Sequence, residues 1–251
     1  MLTGDEVAEI LDIAVREKRG RLARIEYQKK ISEPVSYPAC TAEQLYTHKM
    51  EVAAQWSEAR THGFSPHRDF ATDAANERVI KLLCLYFTAD PRFERMLGDL
   101  AGLSLQKGIF LTGPAGCGKT TLMRLFAENQ EQSYFVETAI EVTAEFESEG
   151  QLDILNHYAS MPVRPRNGFG HREYAFCFDD LGAETVGTHF GGKSWILERI
   201  LYMRNEKGFP THATSNLSPG ELCALYKSAR LESRMKSMFN IIALPGGDRR
   251  K

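Results

Sequence analysis

The chain has 251 residues, 43% hydrophobic and 25% charged, enough for one large domain or two modest ones with a buried core. A formal net charge of -2 argues neither for nor against nucleic acid, and no apolar run reaches the roughly 20 residues of a membrane-spanning helix. The opening Met1-Leu2-Thr3-Gly4-Asp5-Glu6 is acidic rather than a basic signal region. The five cysteines, Cys40, Cys84, Cys117, Cys177 and Cys223, are scattered without a C-x-x-C, so neither a disulfide framework nor a zinc site is expected, and a reduced cytoplasm fits best.

In chain order, Val7, Ile10, Leu11, Ile13 and Ala14 predict an amphipathic helix over 5–24 whose far end is highly charged. The turn-rich Ser32-Glu33-Pro34-Val35-Ser36-Tyr37-Pro38 reads as a linker. A second helix is expected from Thr41, a plausible cap, to about Glu58, with a break at Thr61-His62-Gly63-Phe64-Ser65-Pro66. Val79, Ile80, Leu82, Leu83 and Tyr86 predict a helix over 73–87, and Pro91 opens a short further one. From there the pattern becomes α/β. Strands are expected at 108–111, 134–136, 174–178, 210–215 and 240–244. Helices are expected after Thr121, over 139–148 and 194–204, from Ser218 and from near Ala229. Strands alternating with helices imply a doubly wound parallel sheet covered on both faces.

Gly113-Pro114-Ala115-Gly116-Cys117-Gly118-Lys119-Thr120 fits G-x-x-x-x-G-K-[ST], and Thr121 carries it into a helix. The strand before it and the helix after it supply the context a phosphate-binding loop requires. Its glycines let backbone N–H groups turn inward toward phosphate oxygens. Lys119 is placed to reach the β- and γ-phosphates, and the Thr120 hydroxyl to ligate Mg2+. Cys117 reads as a spacer in the loop rather than a redox sensor.

The apolar strand 174–178 ends in Asp179-Asp180. A carboxylate at the carboxyl edge of a neighbouring parallel strand is expected to hold the magnesium, with Asp180 deprotonating the attacking water. The competing reading is a solvated acidic turn. Asn216, ending the strand that begins near Thr211, suits a hydrogen bond to the γ-phosphate or the water, although asparagine is also common turn chemistry. Arg230 and Arg234, four apart on one helix, are either a charged outer face or an arginine finger reaching a neighbouring subunit's nucleotide.

Residues from about 75 to 251 resemble the AAA+ ATPases of the helicase-loader (DnaC-type) and transposition-helper (IstB-type) branch. The resemblance rests on Gly113–Thr120, Asp179-Asp180-Leu181-Gly182-Ala183-Glu184, Thr214-Ser215-Asn216-Leu217-Ser218 and Arg230-Leu231-Glu232-Ser233-Arg234-Met235. Phe239-Asn240-Ile241-Ile242 and Asp248-Arg249-Arg250-Lys251 add to it. It implies ATP as the nucleotide, Asn216 at the sensor-1 position, Arg230 or Arg234 acting between subunits of a homo-oligomer, contact with single-stranded DNA, and a replicative helicase or transposase as partner. It also implies an ATPase domain over 71–251 without the C-terminal helical lid, and a helical partner-binding region over 1–70, where the resemblance is weak. The chain departs from the pattern at Ser228-Ala229-Arg230, where relatives often carry Gly-Glu-Arg. Chromosomal and mobile-element settings are both open.

A DNA phosphate track is one reading of the basic residues near the C-terminus (Lys227, Arg230, Arg234, Lys236, Arg249, Arg250, Lys251), and a solvated tail is the other. Arg164, Arg166 and Arg172 with Phe169 and His171 fall in a Pro/Gly-rich stretch expected to be a loop, where single-strand contact is one use. His212 reads as a core or sheet-edge histidine, and Trp56 and Trp195 as packing residues. A non-hydrolysing ATP-binding adaptor is the rival of a different class. A small-molecule kinase fits Thr214-Ser215-Asn216 poorly, and a GTPase lacks an N-K-x-D motif.

Overall fold

A computed structural model describes residues 40–61, 72–96, 102–129, 131–149, 151–165, 171–189 and 192–249. The helix expected over 5–24 and the turn at 32–38 lie outside these residues, as does most of the break after Thr61. The chain divides into two units, one comprising Met1–Tyr37 and Val163–Glu173, the other Pro38–Pro162 and Tyr174–Lys251.

The described part of the first unit is an antiparallel pair, β3 (Val163–Pro165) and β4 (His171–Glu173), in the register Val163↔Glu173, Arg164↔Arg172, Pro165↔His171. This corrects the expectation of a plain loop around Arg164, Arg172 and His171. Three-residue strands are too short to show alternation in sequence, while pairing lets them satisfy each other's backbone groups. Arg166 and Phe169 lie outside the described residues.

The second unit begins with α1 (Ala42–Thr61), α2 (Glu77–Tyr86) and the single turn α3 (Arg92–Arg95). Thr41 caps α1 reciprocally: Gln44 N–H donates to Thr41 Oγ1 at 3.2 Å, and Thr41 N–H donates to Gln44 Oε1 at 2.9 Å. The α/β part follows as β1 (Gly108–Thr112), α4 (Lys119–Phe126), β2 (Tyr134–Thr138), α5 (Ala139–Glu149) and α6 (Gln151–Tyr158). After β5 (Ala175–Asp179) come the short hairpin of β6 (Gly187–His189) and β7 (Gly192–Ser194), and then α7 (Ile196–Glu206). The last elements are β8 (Thr211–Ser215), α8 (Pro219–Leu225), α9 (Ala229–Met238) and β9 (Phe239–Ala243). Helix α6 and the β6–β7 hairpin went unanticipated, being too short to establish a period.

The five strands expected from sequence form one sheet in the order β2-β5-β8-β1-β9, all parallel. Side chains alternate strictly between two apolar layers. Ile109, Leu111, Ala175 and Cys177 join α1, α2 and α4 on one face, whereas Phe110, Phe176, Phe178 and Ala213 join α5 to α9 on the other. Burial on both faces is why these strands read as continuous apolar runs. After β9 the described residues 244–249 form no further element. His212 lies in the core: its Nδ1 accepts the Ile109 N–H at 3.0 Å, and Tyr86, Phe87 and Tyr134 surround its ring.

Candidate active site

Parallel strands bring all their carboxyl ends to one edge, and the loops there collect the polar groups. β1 leads into the glycine loop, which turns through Gly116 (φ +79°) and Gly118 (φ +101°), left-handed conformations that glycine adopts without a Cβ penalty. Gly118 is the N-cap of α4 and offers no side-chain cap, so the N–H groups of the first turn lack helical acceptors. Their free donors and the helix dipole make that end an anion site.

Gly116 has a second constraint. A Cβ there would lie 2.0 Å from Asp248 Oδ1, because the segment after β9 returns across the loop and Arg249 N–H donates to Gly116 O at 3.0 Å. Arg249 also pairs with Asp73 at 2.8 Å, at the start of the segment leading into α2.

Lys119, 5% exposed, folds back over the loop. Its ammonium donates to Gly113 O (2.8 Å), Pro114 O (3.0 Å) and Asn216 Oδ1 (2.7 Å). The Asn216 amide in turn donates to Asp180 Oδ1 at 2.9 Å. One side chain thus bridges the loop lysine and the second carboxylate. Pro114 and Ala115 are exposed at the loop tip, Cys117 is buried beneath it, and Thr121 is half-buried in the first turn of α4.

Asp179, 4% exposed, accepts from the Thr120 hydroxyl at 3.0 Å and from the Thr214 hydroxyl at 2.6 Å, both on Oδ1. Burial pushes its carboxyl above the usual range against those two hydrogen bonds, and the neighbouring Asp180 charge adds to the rise. A buried carboxylate beside a threonine hydroxyl is a hard oxygen donor set that suits Mg2+, and a cation there would favour the ionised form.

Asp180 sits at φ +62°, in the left-handed region that aspartate tolerates, with its N–H donating to Thr214 Oγ1 at 3.0 Å. The expectation that the acidic strand neighbours β1 is corrected: β8 lies between β1 and β5. Asp179 still meets Thr120 because β8 contributes Thr214, whose side chain bridges Asp179 and the Asp180 backbone. Thr214 was missed as a site residue. Its signal in sequence is only a hydroxyl two positions before Asn216.

The arginines stand apart from this network. Arg230 is exposed at the start of α9, and Arg234 lays its guanidinium over the Tyr202 ring at 4.0 Å. Of the other basic residues near the C-terminus, Lys236 pairs with Glu232 at 2.8 Å, Lys227 is exposed, and Arg250 and Lys251 lie outside the described residues. A cavity of about 370 Å³ lined by Tyr86, Gly108, Arg204, Phe209 and Thr211 opens at the opposite, amino ends of the strands and holds none of the site groups. No helix among the described residues is long and apolar enough to cross a membrane.

No protein-family model matches the chain. Among solved structures, DnaI is 22% identical with a TM-score of 0.49, covering 72% of this chain and 87% of that one. A candidate primosome component from Streptococcus pyogenes serotype M3 is 19% identical with a TM-score of 0.48, covering 71% and 84%. AMPPCP-bound DnaA from Aquifex aeolicus is 17% identical with a TM-score of 0.44, covering 70% of this chain and 48% of that one. The sheet itself defines the fold. A glycine loop after β1, with β8 between β1 and the acidic strand β5, makes a doubly wound parallel-sheet architecture that carries a phosphate-loop motif at the carboxyl edge.

Proposed function

We propose that this chain is a magnesium-dependent ATPase of the helicase-loader kind, working as a homo-oligomer on single-stranded DNA with a replicative helicase. The observation that carries the ATPase reading is one hydrogen-bonded network at the carboxyl edge of the sheet. Lys119, Asn216 and Asp180 form one arm, and Thr120, Asp179 and Thr214 the other. The loader reading rests on the order and spacing of the motifs between Gly113 and Arg234.

In this reading the backbone N–H groups of Ala115–Thr120 and the Lys119 ammonium bind phosphate oxygens, Lys119 exchanging its loop carbonyls for the stronger anionic acceptor. Thr120 and Asp179 would hold Mg2+, which when bound would neutralise charge on the phosphates. Asp180 takes a proton from the attacking water, whose oxygen bonds to the γ-phosphorus as the bond to the β-bridging oxygen breaks, giving ADP and phosphate. Asn216 orients Asp180 and loses its lysine donor when Lys119 turns to phosphate, which makes it the group that reports nucleotide state. Arg230, exposed and without a hydrogen bond or ion pair among the described residues, is the better placed of the two arginines to reach a neighbouring subunit. Arg234 is occupied by Tyr202.

ATP turnover of the purified chain, with and without single-stranded DNA, tests this beside Lys119→Ala and Arg230→Ala. Turnover should rise with DNA, fall to background in Lys119→Ala, and fall by about 10³-fold or more in Arg230→Ala. ATP binding without turnover in the wild type would favour the adaptor reading. Capture of a purified transposase in place of a replicative helicase would move the chain to the transposition-helper branch.

A further inference from the structure

Four residues beyond Asp180, Glu184 is a carboxylate only 4% exposed. Its Oε2 accepts the Gly182 N–H at 2.7 Å, and its Oε1 accepts the Tyr226 hydroxyl. Tyr226 is itself buried, closes α8 as its C-cap and packs its ring on Trp195. Burial, with the Glu184 charge beside it, raises the phenol well above the ordinary tyrosine range, so Tyr226 stays a donor.

The turn carrying Asp180 is therefore tied at both ends. At one end Leu181 N–H donates to Thr214 O (2.9 Å) and Ser215 Oγ donates to Leu181 O (2.6 Å). At the other, Gly182 (φ +89°) lies so close to α8 and the residues before it that an added Cβ would stand 2.9 Å from a side-chain carbon of Leu222 in the helix and 2.9 Å from one of Leu217 ahead of it. Beyond Tyr226 the chain reaches α9 through a hydrogen-bonded joint. Lys227 N–H donates to Ala224 O, Ser228 N–H to Cys223 O and Leu231 N–H to Ser228 O. Arg230 is the second residue of α9.

A buried carboxylate is costly, and an apolar pair of similar shape would often be at least as stable. What it supplies that an apolar pair cannot is two charge-assisted acceptors that hold two donors at a fixed separation. One donor belongs to the acidic turn and the other to the end of α8. We propose that the Glu184–Tyr226 hydrogen bond is a mechanical link between the Asp179–Asp180 turn and α9, so that each subunit's own site sets the placement of the arginine it offers its neighbour. Glu184 and Tyr226 are then positioning residues. This rests on the intersubunit ATPase reading above.

The test uses the full chain with Tyr226→Phe, which removes only the hydroxyl, in a double-mutant cycle with Arg230→Ala. Tyr226→Phe should lower kcat about tenfold to a hundredfold while leaving the ATP Kd within about twofold. Added to Arg230→Ala, it should cost nothing further, because the arginine it positions is already gone. Glu184→Gln alone, which keeps one of the two acceptor oxygens, should lower kcat by less than Tyr226→Phe does, and it carries the cycle if Tyr226→Phe lowers the melting temperature enough to compromise folding. An active wild type with unchanged kcat in Tyr226→Phe, or losses that multiply with Arg230→Ala, overturns the link. A wild type no faster than Lys119→Ala overturns the ATPase premise instead.

Discussion

Thr214→Val is the most informative single substitution, because valine keeps the shape of a fully buried residue and removes two hydrogen bonds at once. The hydroxyl donates to Asp179 Oδ1 at 2.6 Å and accepts the Asp180 N–H at 3.0 Å. Losing a hydrogen bond to a carboxylate costs about 1.5–3 kcal/mol, and a backbone N–H left without its acceptor costs about 1–3 more. Thr214→Val should therefore destabilise the chain by about 3–5 kcal/mol in urea unfolding at an unchanged m value. Thr214→Ser keeps the hydroxyl and deletes one methyl group, so its loss should be about 1 kcal/mol. The two variants should also separate in a pH profile of magnesium-dependent turnover. The Thr214 hydrogen bond holds the Asp179 carboxyl down against burial, so its removal moves the acid limb to higher pH, and serine leaves the limb in place. Equal stabilities and coincident acid limbs for valine and serine would refute this account of the site.

Three further outcomes are expected. Burial raises the Asp179 carboxyl, so that group favours the native state fully below the unfolded carboxyl pKa and loses this contribution as pH rises through the native one. In magnesium-free buffer Asp179→Asn should melt above the wild type near pH 8, with the gap closing toward about pH 4, while magnesium-dependent hydrolysis disappears; a pH-independent gap would refute this. Burial holds His212 down to about 3, so its contribution is present above the unfolded value of about 6.5 and is lost as pH falls toward the native one. Between about pH 7.5 and 5 the wild type should lose about 2 kcal/mol more than His212→Gln, and parallel unfolding curves would contradict it. Arg204 is fully buried and donates to Tyr158 O, Ser160 O, Pro210 O and Thr211 Oγ1. Arg204→Leu should cost about 3–5 kcal/mol by urea unfolding, and a loss below about 1 kcal/mol would mean those acceptors find other donors.

Much was legible in the sequence because its signals are local. The strands announce themselves as apolar runs, since both faces of a parallel sheet are buried. The glycine loop is contiguous, because backbone N–H groups can converge on a phosphate only if successive residues turn together. Asp179-Asp180 and Asn216 each end a strand, and parallel strands must deliver their ends to one edge. Tertiary structure alone decided which groups meet there. β8 runs between β1 and β5, and this order brings Thr214 onto Asp179 and Asn216 between Lys119 and Asp180. Glu184 and Tyr226, 42 residues apart, likewise meet only through the packing of α8 on the acidic turn. The segment after β9 crosses Gly116 for the same kind of reason. No pattern in the chain encodes these meetings, because strand order is settled by how helices cover two apolar faces and not by the residues of any one segment.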